Sequence, residues 1–485
     1  MEIKKPNESA WHRQSLAVLP NYLGKSLYLL LLPTLRGLIY ALESDFESWL
    51  RSAWVDLATL AVILLPALLR WRYSMYRPAN DGLRFRRGFL CQTETLIPRG
   101  QVVSVEEERS WWVRLFGAVR LTVRSRGASV LLYVNTRRSA TLRELLGCGR
   151  KENMRIYRPG TAHLGLYALL TSNSPGGVIF TGVLISRFGS ILGREVRDKF
   201  VGALTRLLHL VAYGVPGAMF TAALVLLGAW AVSFARTVLE NAATELRYTA
   251  DRVMLTSGSI VRRRRTVMTG CISAVELRQT LPGILLGLGT AYIDAPGLVT
   301  ERDRILMLSA SAASLDKTLA LLLPNLCPVD PTLRPLKNGW LPYLWAPAAA
   351  LCVLLPLPFV LSPLFPFWQP MLRLVCWMSC VPAAWLLAAA ILGFRRTCAG
   401  VSDGRLTVTW PSLGSLRRMT VPLRDLRMVE IRRLFPHGRG CRLIFRVGQD
   451  RLRRISMGGM PYADCLRFVG ELEKNGCPAK TKRKS

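Results

Sequence analysis

Arg262-Arg263-Arg264-Arg265 is the densest run of charge in the sequence. Guanidiniums are planar, permanently charged donors that suit phosphate and other oxyanions, so the run is a candidate anion contact. Its plainer reading is that it only enforces topology and solvation. Arg86-Arg87 and Arg417-Arg418 repeat the chemistry on a smaller scale. Acid–base or covalent chemistry is harder to find. Glu106 and Glu276 sit in similar local sequences, but no His, Cys or second carboxylate recurs at fixed spacing beside them, so they are expected to pair with arginines. His12, His163, His209 and His437 are each alone in their neighbourhoods. The eleven cysteines include no Cys-x-x-Cys pair and are odd in number, which signals neither zinc nor a complete disulfide framework and fits reduced, cytosol-facing thiols. No catalytic residue, metal or cofactor is assigned, and no enzyme is expected.

The elements that position these residues repeat. Shifting residues 81–127 by 170 places Asp81 on Asp251, Gly88 on Gly258, Gly100 on Gly270, Val105 on Val275, Glu106 on Glu276, Gly117 on Gly287 and Gly127 on Gly297, without a gap. A third stretch follows more loosely: Val421-Pro422 stands for Ile97-Pro98, and Glu430 lies eight residues after the proline, as Glu106 does. In it Trp410 replaces the glycine expected seven residues after Asp403. Leu83 and Phe85 alternate with Arg84 and Arg86, Leu121 and Val123 with Thr122 and Arg124, and Leu443 and Phe445 with Arg442 and Arg446, the period of half-buried strands. Each copy ends in a helix-compatible piece: Ser139–Leu146, Ala312–Leu322 or Tyr462–Glu473. Short strands in a bent antiparallel sheet, closed by one helix, give a small pleckstrin-homology-like (PH-like) module.

Between the modules the sequence turns apolar. Ser26–Leu42 is apolar except for Arg36, and Ala53–Leu69 except for Asp56, each near the roughly 17-residue minimum for a membrane span. The linker Glu43–Ser52 is acidic on balance, while Lys4, Lys5, Arg13 and Lys25 precede the pair and Arg70, Arg72 and Arg77 follow it, so a hairpin with both ends cytoplasmic is expected. Trp340–Leu364 and Met371–Phe394 form a second hairpin of the same orientation, flanked by Lys337 and by Arg395 and Arg396. In the middle, Val211–Phe234 is a span, and Leu164–Ile185 either crosses, re-enters or lies on the surface, because Ser172–Gly177 is helix-unfriendly. No cleavable leader is expected at the start.

These readings divide the chain into a membrane hairpin (1–71), a first module (72–160), a central membrane pair (161–245), a second module (246–335), a membrane hairpin (336–396), a divergent third module (397–478) and a basic tail (479–485). The expected fold class is therefore α+β: membrane α-helical hairpins alternating with three cytoplasmic PH-like β-barrel or sheet modules, each closed by a C-terminal helix.

Composition agrees. Of 485 residues, 65 are Lys or Arg and 31 Asp or Glu, for a net charge of +34, yet 51% are hydrophobic. Soluble domains carry about 25% charge of mixed sign. Here the figure is 20%, two-thirds of it positive, which disfavours an ordinary soluble enzyme, and the 51% hydrophobic content excludes a wholly disordered basic protein. No recognition helix, zinc finger or aromatic-basic motif supports nucleic acid as a partner.

The run Ile97-Pro98, Val103-Ser104-Val105-Glu106, Arg114-Leu115-Phe116-Gly117 and Leu121–Gly127 resembles the bacterial pleckstrin-homology membrane proteins of the YdbS/YdbT type, and the alternation of spans and modules resembles the longer, YdbT-like member. The third copy departs from it, with Phe435-Pro436 in place of the Phe-Gly pair. The resemblance implies a multi-pass protein of the bacterial inner membrane with no established enzymatic activity, often beside a smaller single-module relative. It supplies no ligand set. A scaffold whose modules bind anionic phospholipid headgroups or partner membrane proteins, in envelope maintenance or stress defence, is the leading expectation. Its lipid contacts would be Arg262 to Arg265, Arg86, Arg87, Arg417 and Arg418, and Gly88, Gly117, Gly127, Gly258, Gly287 and Gly297 would shape the turns. A homo-oligomer is compatible. A transporter or lipid-handling protein, using Arg36, Asp56, Arg373 and the segment Asn173–Gly177, is the alternative.

Overall fold

Each repeat resolves into two short antiparallel sheets followed by a helix. The computed structural model describes residues 11–24, 46–79, 81–89, 91–148, 155–171, 217–298, 300–365, 369–412, 414–433, 440–448, 452–475 and 480–484. The expected span Ser26–Leu42 with Arg36, and the segment Asn173–Gly177, lie outside them, as does all of Leu164–Ile185 after residue 171.

The chain begins with β1 (His12–Arg13), α1 (Leu19–Leu23) and α2 (Phe46–Arg72). The first repeat follows: β2 (Met75–Ala79), β3 (Gly82–Arg87), β4 (Thr93–Pro98), β5 (Val102–Arg109), α3 (Trp111–Leu115), β6 (Ala118–Ser125), β7 (Ser129–Asn135) and α4 (Thr136–Leu145). After β8 (Arg155–Tyr157), α5 (Thr161–Thr171) and α6 (Gly217–Asn241) comes the second: β9 (Glu245–Tyr248), β10 (Arg252–Ser257), β11 (Arg262–Met268), β12 (Ala274–Thr280), α7 (Leu281–Leu286), β13 (Leu288–Asp294), α8 (Glu301–Arg304), β14 (Ile305–Ser311) and α9 (Ala312–Leu322). Helices α10 (Leu341–Leu354), α11 (Leu357–Leu364) and α12 (Gln369–Arg395) lead to the third: β15 (Cys398–Ser402), β16 (Arg405–Ser412), β17 (Ser415–Pro422), β18 (Leu426–Arg433), β19 (Gly440–Val447), β20 (Arg453–Pro461) and α13 (Tyr462–Lys474). Strand β21 (Lys480–Lys484) lies in the basic tail.

Contacts divide the chain into two compact units that do not follow the repeat boundaries. One comprises residues 1–157 and 245–271, the other 158–244 and 272–485. The first unit holds a four-stranded sheet, β1-β2-β3-β4, and a seven-stranded sheet, β7-β6-β5-β11-β10-β9-β8. The second holds a six-stranded sheet, β14-β13-β12-β17-β16-β15, and a four-stranded one, β20-β19-β18-β21. In both units the leading strand of one repeat's second sheet pairs antiparallel with the third strand of the next repeat's first sheet: β5 with β11 and β12 with β17. Consecutive repeats are thereby joined edge to edge by backbone hydrogen bonds.

Period-2 alternation decides which side chains close the cores. In the first repeat Tyr76, Leu83, Phe85 and Ile97 of one sheet pack on Val105, Leu121, Val123 and Leu132 of the other, and Leu142 and Leu146 cover the open end. In the third, Leu406, Val408, Met419 and Val421 meet Val429, Leu443 and Phe445. Cys465, Phe468, Val469 and Leu472 then project from one face of α13, and Phe468 meets Phe445 edge-on at 6.4 Å. Burying each such large side chain contributes about 1.5–3 kcal/mol. The segment before α2 belongs to the first unit's fold: β1 extends β2, Gln14 donates from Nε2 to Ser74 at 2.6 Å, and its Oε1 accepts from the Tyr133 amide at 3.0 Å.

Two matched glycines show why their positions recur. Gly88 adopts φ +114°, and a Cβ there would lie 2.0 Å from the Cys91 carbonyl oxygen, so no other residue fits this β3–β4 turn. Gly287 ends α7 in the left-handed region, where its amide donates to the Gly283 carbonyl. Gly258 and Gly117 occupy the corresponding turns, Gly297 the turn after β13, and Gly127, without a positive φ, the turn after β6. In the third repeat β16 and β17 are both eight residues long, and the turn glycine is Gly414, φ +76°. Trp410 is therefore a buried strand residue and not a turn substitute.

Among the described residues, one helical stretch, Leu341–Leu361, is long and apolar enough to cross a membrane. Large apolar side chains are also exposed elsewhere on the long helices: Trp54, Val62 and Leu65 on α2, Leu227 and Trp230 on α6, and Trp377, Trp385 and Leu386 on α12.

Candidate anion-binding groove at a strand junction

The four consecutive arginines form the first half of β11, and strand geometry sends them alternately to the two faces of the seven-stranded sheet. They lie opposite β5 in the register Arg262–Arg109, Arg263–Glu108, Arg264–Glu107 and Arg265–Glu106. On one face, Arg265 approaches Glu106 at 3.2 Å, and Arg124 of β6 reaches the same carboxylate at 2.9 Å. Arg263 approaches Glu108 at 3.4 Å, and Arg120 does so at 3.3 Å. Burial alone would raise the Glu106 carboxyl, but the guanidiniums of Arg265 and Arg124 outweigh it and hold the group below its ordinary value. These two arginines are committed to the junction.

Arg262 and Arg264 face the other way, into a groove of about 320 Å³ that also receives Arg109 from β5 and Arg247 from β9. Among the described residues that line it, the carboxylates are Glu107 and Glu245. Glu107 accepts from Arg109 at 2.8 Å and lies 3.1 Å from Arg143, while Glu245 accepts from Arg247 at 3.1 Å. Among the described residues no carboxylate lies within ion-pair distance of Arg262 or Arg264, and Arg264 Nε donates to the Met254 sulfur at 2.9 Å. Burial, followed by the charge of Arg143, pushes the Arg264 guanidinium down from its ordinary value. Four guanidiniums against two carboxylates leave the groove electropositive, and it is chemically suited to a multiply oxygenated anion.

The second junction has the same register but a different charge pattern. Glu276 of β12 lies opposite Met419 of β17, Leu277 opposite Arg418, and Arg278 opposite Arg417. Glu276 is fully buried, with Arg453 at 2.7 Å, Arg278 at 2.8 Å, Arg304 at 3.1 Å and Arg417 at 3.5 Å. Burial pushes its carboxyl up, but hydrogen bonds and charge from Arg453 and Arg278 prevail and hold it at about 2. Burial works against the charge of Arg278 as well, and Glu276 more than offsets this, so that guanidinium is held above its ordinary value. Arg278 also stacks over the Tyr292 ring at 4.3 Å. On the opposite face Arg418 is ion-paired with Asp316. Glu106 and Glu276 are thus arginine partners within the sheets.

The structure therefore distributes the arginines singled out in the sequence. Arg262 and Arg264 share a groove, Arg263 and Arg265 are ion-paired, and Arg417 and Arg418 belong to the second junction. Arg86 and Arg87 are exposed at the end of β3, with the Arg86 guanidinium 5.8 Å from the Trp11 ring centre. Arg109, Arg247, Arg304 and Arg453 were not picked out from the sequence. A local signal existed for some: Glu107-x-Arg109, Glu245-x-Arg247, Glu276-x-Arg278 and Glu430-x-Arg432 all place the two charges on one strand face, and each arginine reaches back to its glutamate at 2.8–3.1 Å. Trp111 is exposed beside Leu115 and Phe116, while Trp112 packs near Tyr133 with ring centres 6.2 Å apart.

No curated protein matches the chain. Residues 27–148 and 202–320 each match the bacterial PH domain family, and each match takes in a long apolar helix, α2 or α6, together with the strands that follow it. The third repeat lies outside both stretches. With their paired sheets and closing helices, these two stretches are similar to bacterial PH domains.

Proposed function

We propose that the chain is a non-enzymatic, multi-pass protein of the bacterial cytoplasmic membrane, of the YdbS/YdbT type, that presents its PH-like modules on the cytoplasmic side as a scaffold for anionic lipid headgroups. The carrying observation is the groove of Arg109, Arg247, Arg262 and Arg264. Its excess of guanidiniums over carboxylates, on a sheet continuous with a bacterial PH domain region, suits the phosphate of phosphatidylglycerol, cardiolipin or a phosphorylated lipid intermediate. Membrane placement is supported by exposed Leu, Val and Trp side chains on α2, α6 and α12, by the apolar stretch Leu341–Leu361, and by Arg70, Arg72, Arg395 and Arg396 where the helices run into sheets. Basic residues beside an anionic leaflet contribute on the order of 1 kcal/mol each. A smaller single-module membrane protein is a further partner that the YdbS/YdbT reading implies.

Two experiments test this. Reporter fusions after residues 150, 330 and 485 should all report the cytoplasm, and an external report at any of them breaks the topology. For the lipid, the full chain in nanodiscs of mixed zwitterionic and anionic phospholipid should retain anionic lipid on native mass spectrometry. Arg262→Ala/Arg264→Ala should lose most of that excess, while Arg86→Ala/Arg87→Ala should lose less. Unchanged retention in the Arg262→Ala/Arg264→Ala variant removes the groove from the proposal.

A further inference from the structure

The two strand junctions define a rule, and each end of the repeat array leaves it half satisfied. The leading strand of a second sheet, β5 or β12, takes as its antiparallel partner the third strand of another repeat's first sheet, β11 or β17. The register is the same in both: Arg265 opposite Glu106 and Met419 opposite Glu276 are equivalent pairs, as are Thr266 opposite Val105 and Thr420 opposite Val275. In the first repeat, β4 is the counterpart of β11 and β17, yet it ends its sheet with no outer partner among the described residues. In the third repeat, β18 is the counterpart of β5 and β12, and among the described residues its edge is covered by β21 alone, in parallel.

Exposure marks β4 as an unfilled edge. Leu96 is 43% exposed, whereas its counterparts Thr266 and Thr420 are 3% and 5% exposed under their partner strands. An apolar residue on an open strand edge invites pairing. Charge marks β21 as a poor permanent cover. The segment carries Lys480, Lys482, Arg483 and Lys484 with no acidic residue, and it runs beside a strand whose Arg427, Arg432 and Arg433 already outnumber Glu430. Strand β4 carries Glu94 as its only charge, so it complements β18 where β21 repels it.

We propose that β4 of one copy of this chain pairs antiparallel with β18 of a second copy, displacing β21, in the register of the two internal junctions. That register sets Leu96 opposite Val429, Thr95 opposite Glu430, Glu94 opposite Ile431 and Thr93 opposite Arg432, with Glu94 diagonal to Arg433 on the same face. The contact is heterologous, head to tail, so it builds a ring or an open row of chains. The basic tail acts as a competing strand that limits assembly.

The test uses the full chain with Cys91→Ala, Cys352→Ala and Cys477→Ala, in two differently sized forms reconstituted together in vesicles. One form carries Leu96→Cys and the other Val429→Cys. Mild oxidation should give a mixed dimer. Deleting residues 480–485 should raise its yield several-fold, and Glu94→Lys on the β4 partner should lower it, with unchanged melting temperature showing that this exposed substitution leaves the fold intact. No mixed dimer, or equal yields from two Leu96→Cys copies, overturns the proposal. So does oxidation in native membranes that joins Val429→Cys to a different protein and not to a second copy.

Discussion

The β5–β11 and β12–β17 junctions share strand order and register but handle charge in opposite ways. The first spreads it: three consecutive glutamates face three arginines, and the surplus guanidiniums open onto a groove. The second concentrates it: one fully buried carboxylate gathers four guanidiniums, and the arginine on the other face is neutralised by Asp316. Arg264 and Arg418 occupy equivalent repeat positions, yet among the described residues Arg264 has no carboxylate within ion-pair distance, whereas Arg418 is paired with Asp316. One backbone arrangement can thus serve as a binding surface in one place and as a structural clamp in another, with the choice made by a few side chains.

The largest expected effect is at the clamp. Glu276→Gln leaves four arginines around a neutral side chain, and removing one partner of a buried ionic cluster costs about 3–5 kcal/mol. Glu106→Gln, with two arginines, should cost about 1.5–3 kcal/mol, both read as shifts in thermal or denaturant midpoint. Equal losses would break the contrast. Acidification gives the same ordering. Glu276 titrates at about 2 when folded against a reference of 4.5, so its contribution is complete above about pH 4.5 and is lost as the pH falls toward 2. Glu106 is lowered too and adds in the same direction. Melting temperature should fall over that window in the wild type, and less steeply in Glu276→Gln.

A smaller effect separates the two equivalent arginines. Arg418→Ala should lower stability by about 0.5–1 kcal/mol through loss of the Asp316 pair. Arg264→Ala should leave stability within about 0.5 kcal/mol, because among the described residues no carboxylate lies within ion-pair distance of it. Lipid retention should respond in the reverse order, and a larger stability loss at Arg264 would show that it too is a clamp.

The repeats, the turn glycines and the strand faces were legible in the sequence because each is a local requirement: alternation places Leu83 and Phe85 inside, and only glycine fits at Gly88. The closing helices were legible for the same reason, with Ala312–Leu322 observed as expected and the first helix starting at Thr136, where Asn135 caps it. What the sequence could not convey is pairing between repeats. Nothing local tells β11 that its neighbour is β5, so the arginine run read as one anion contact or as solvated charge, although alternate members are consumed by Glu106 and Glu108. The register follows only once the strands are in place, and with it come Arg304 and Arg453, which lie 28 and 177 residues from the carboxylate they serve.

The central claim is that consecutive repeats are tied by strand pairing in one fixed register, and disulfide trapping tests it most directly. Directly opposite residues bring their Cα atoms to about 4.5–5.5 Å, within disulfide reach, whereas a two-residue shift puts them about 7–8 Å apart. In a full chain with its native cysteines replaced by alanine, Val105→Cys/Thr266→Cys and Val275→Cys/Thr420→Cys should oxidise readily under mild conditions, and Val105→Cys/Arg264→Cys should not. Failure of both direct pairs, or equal oxidation of the shifted one, would contradict the edge-to-edge array on which the groove, the clamp and the proposed assembly all rest.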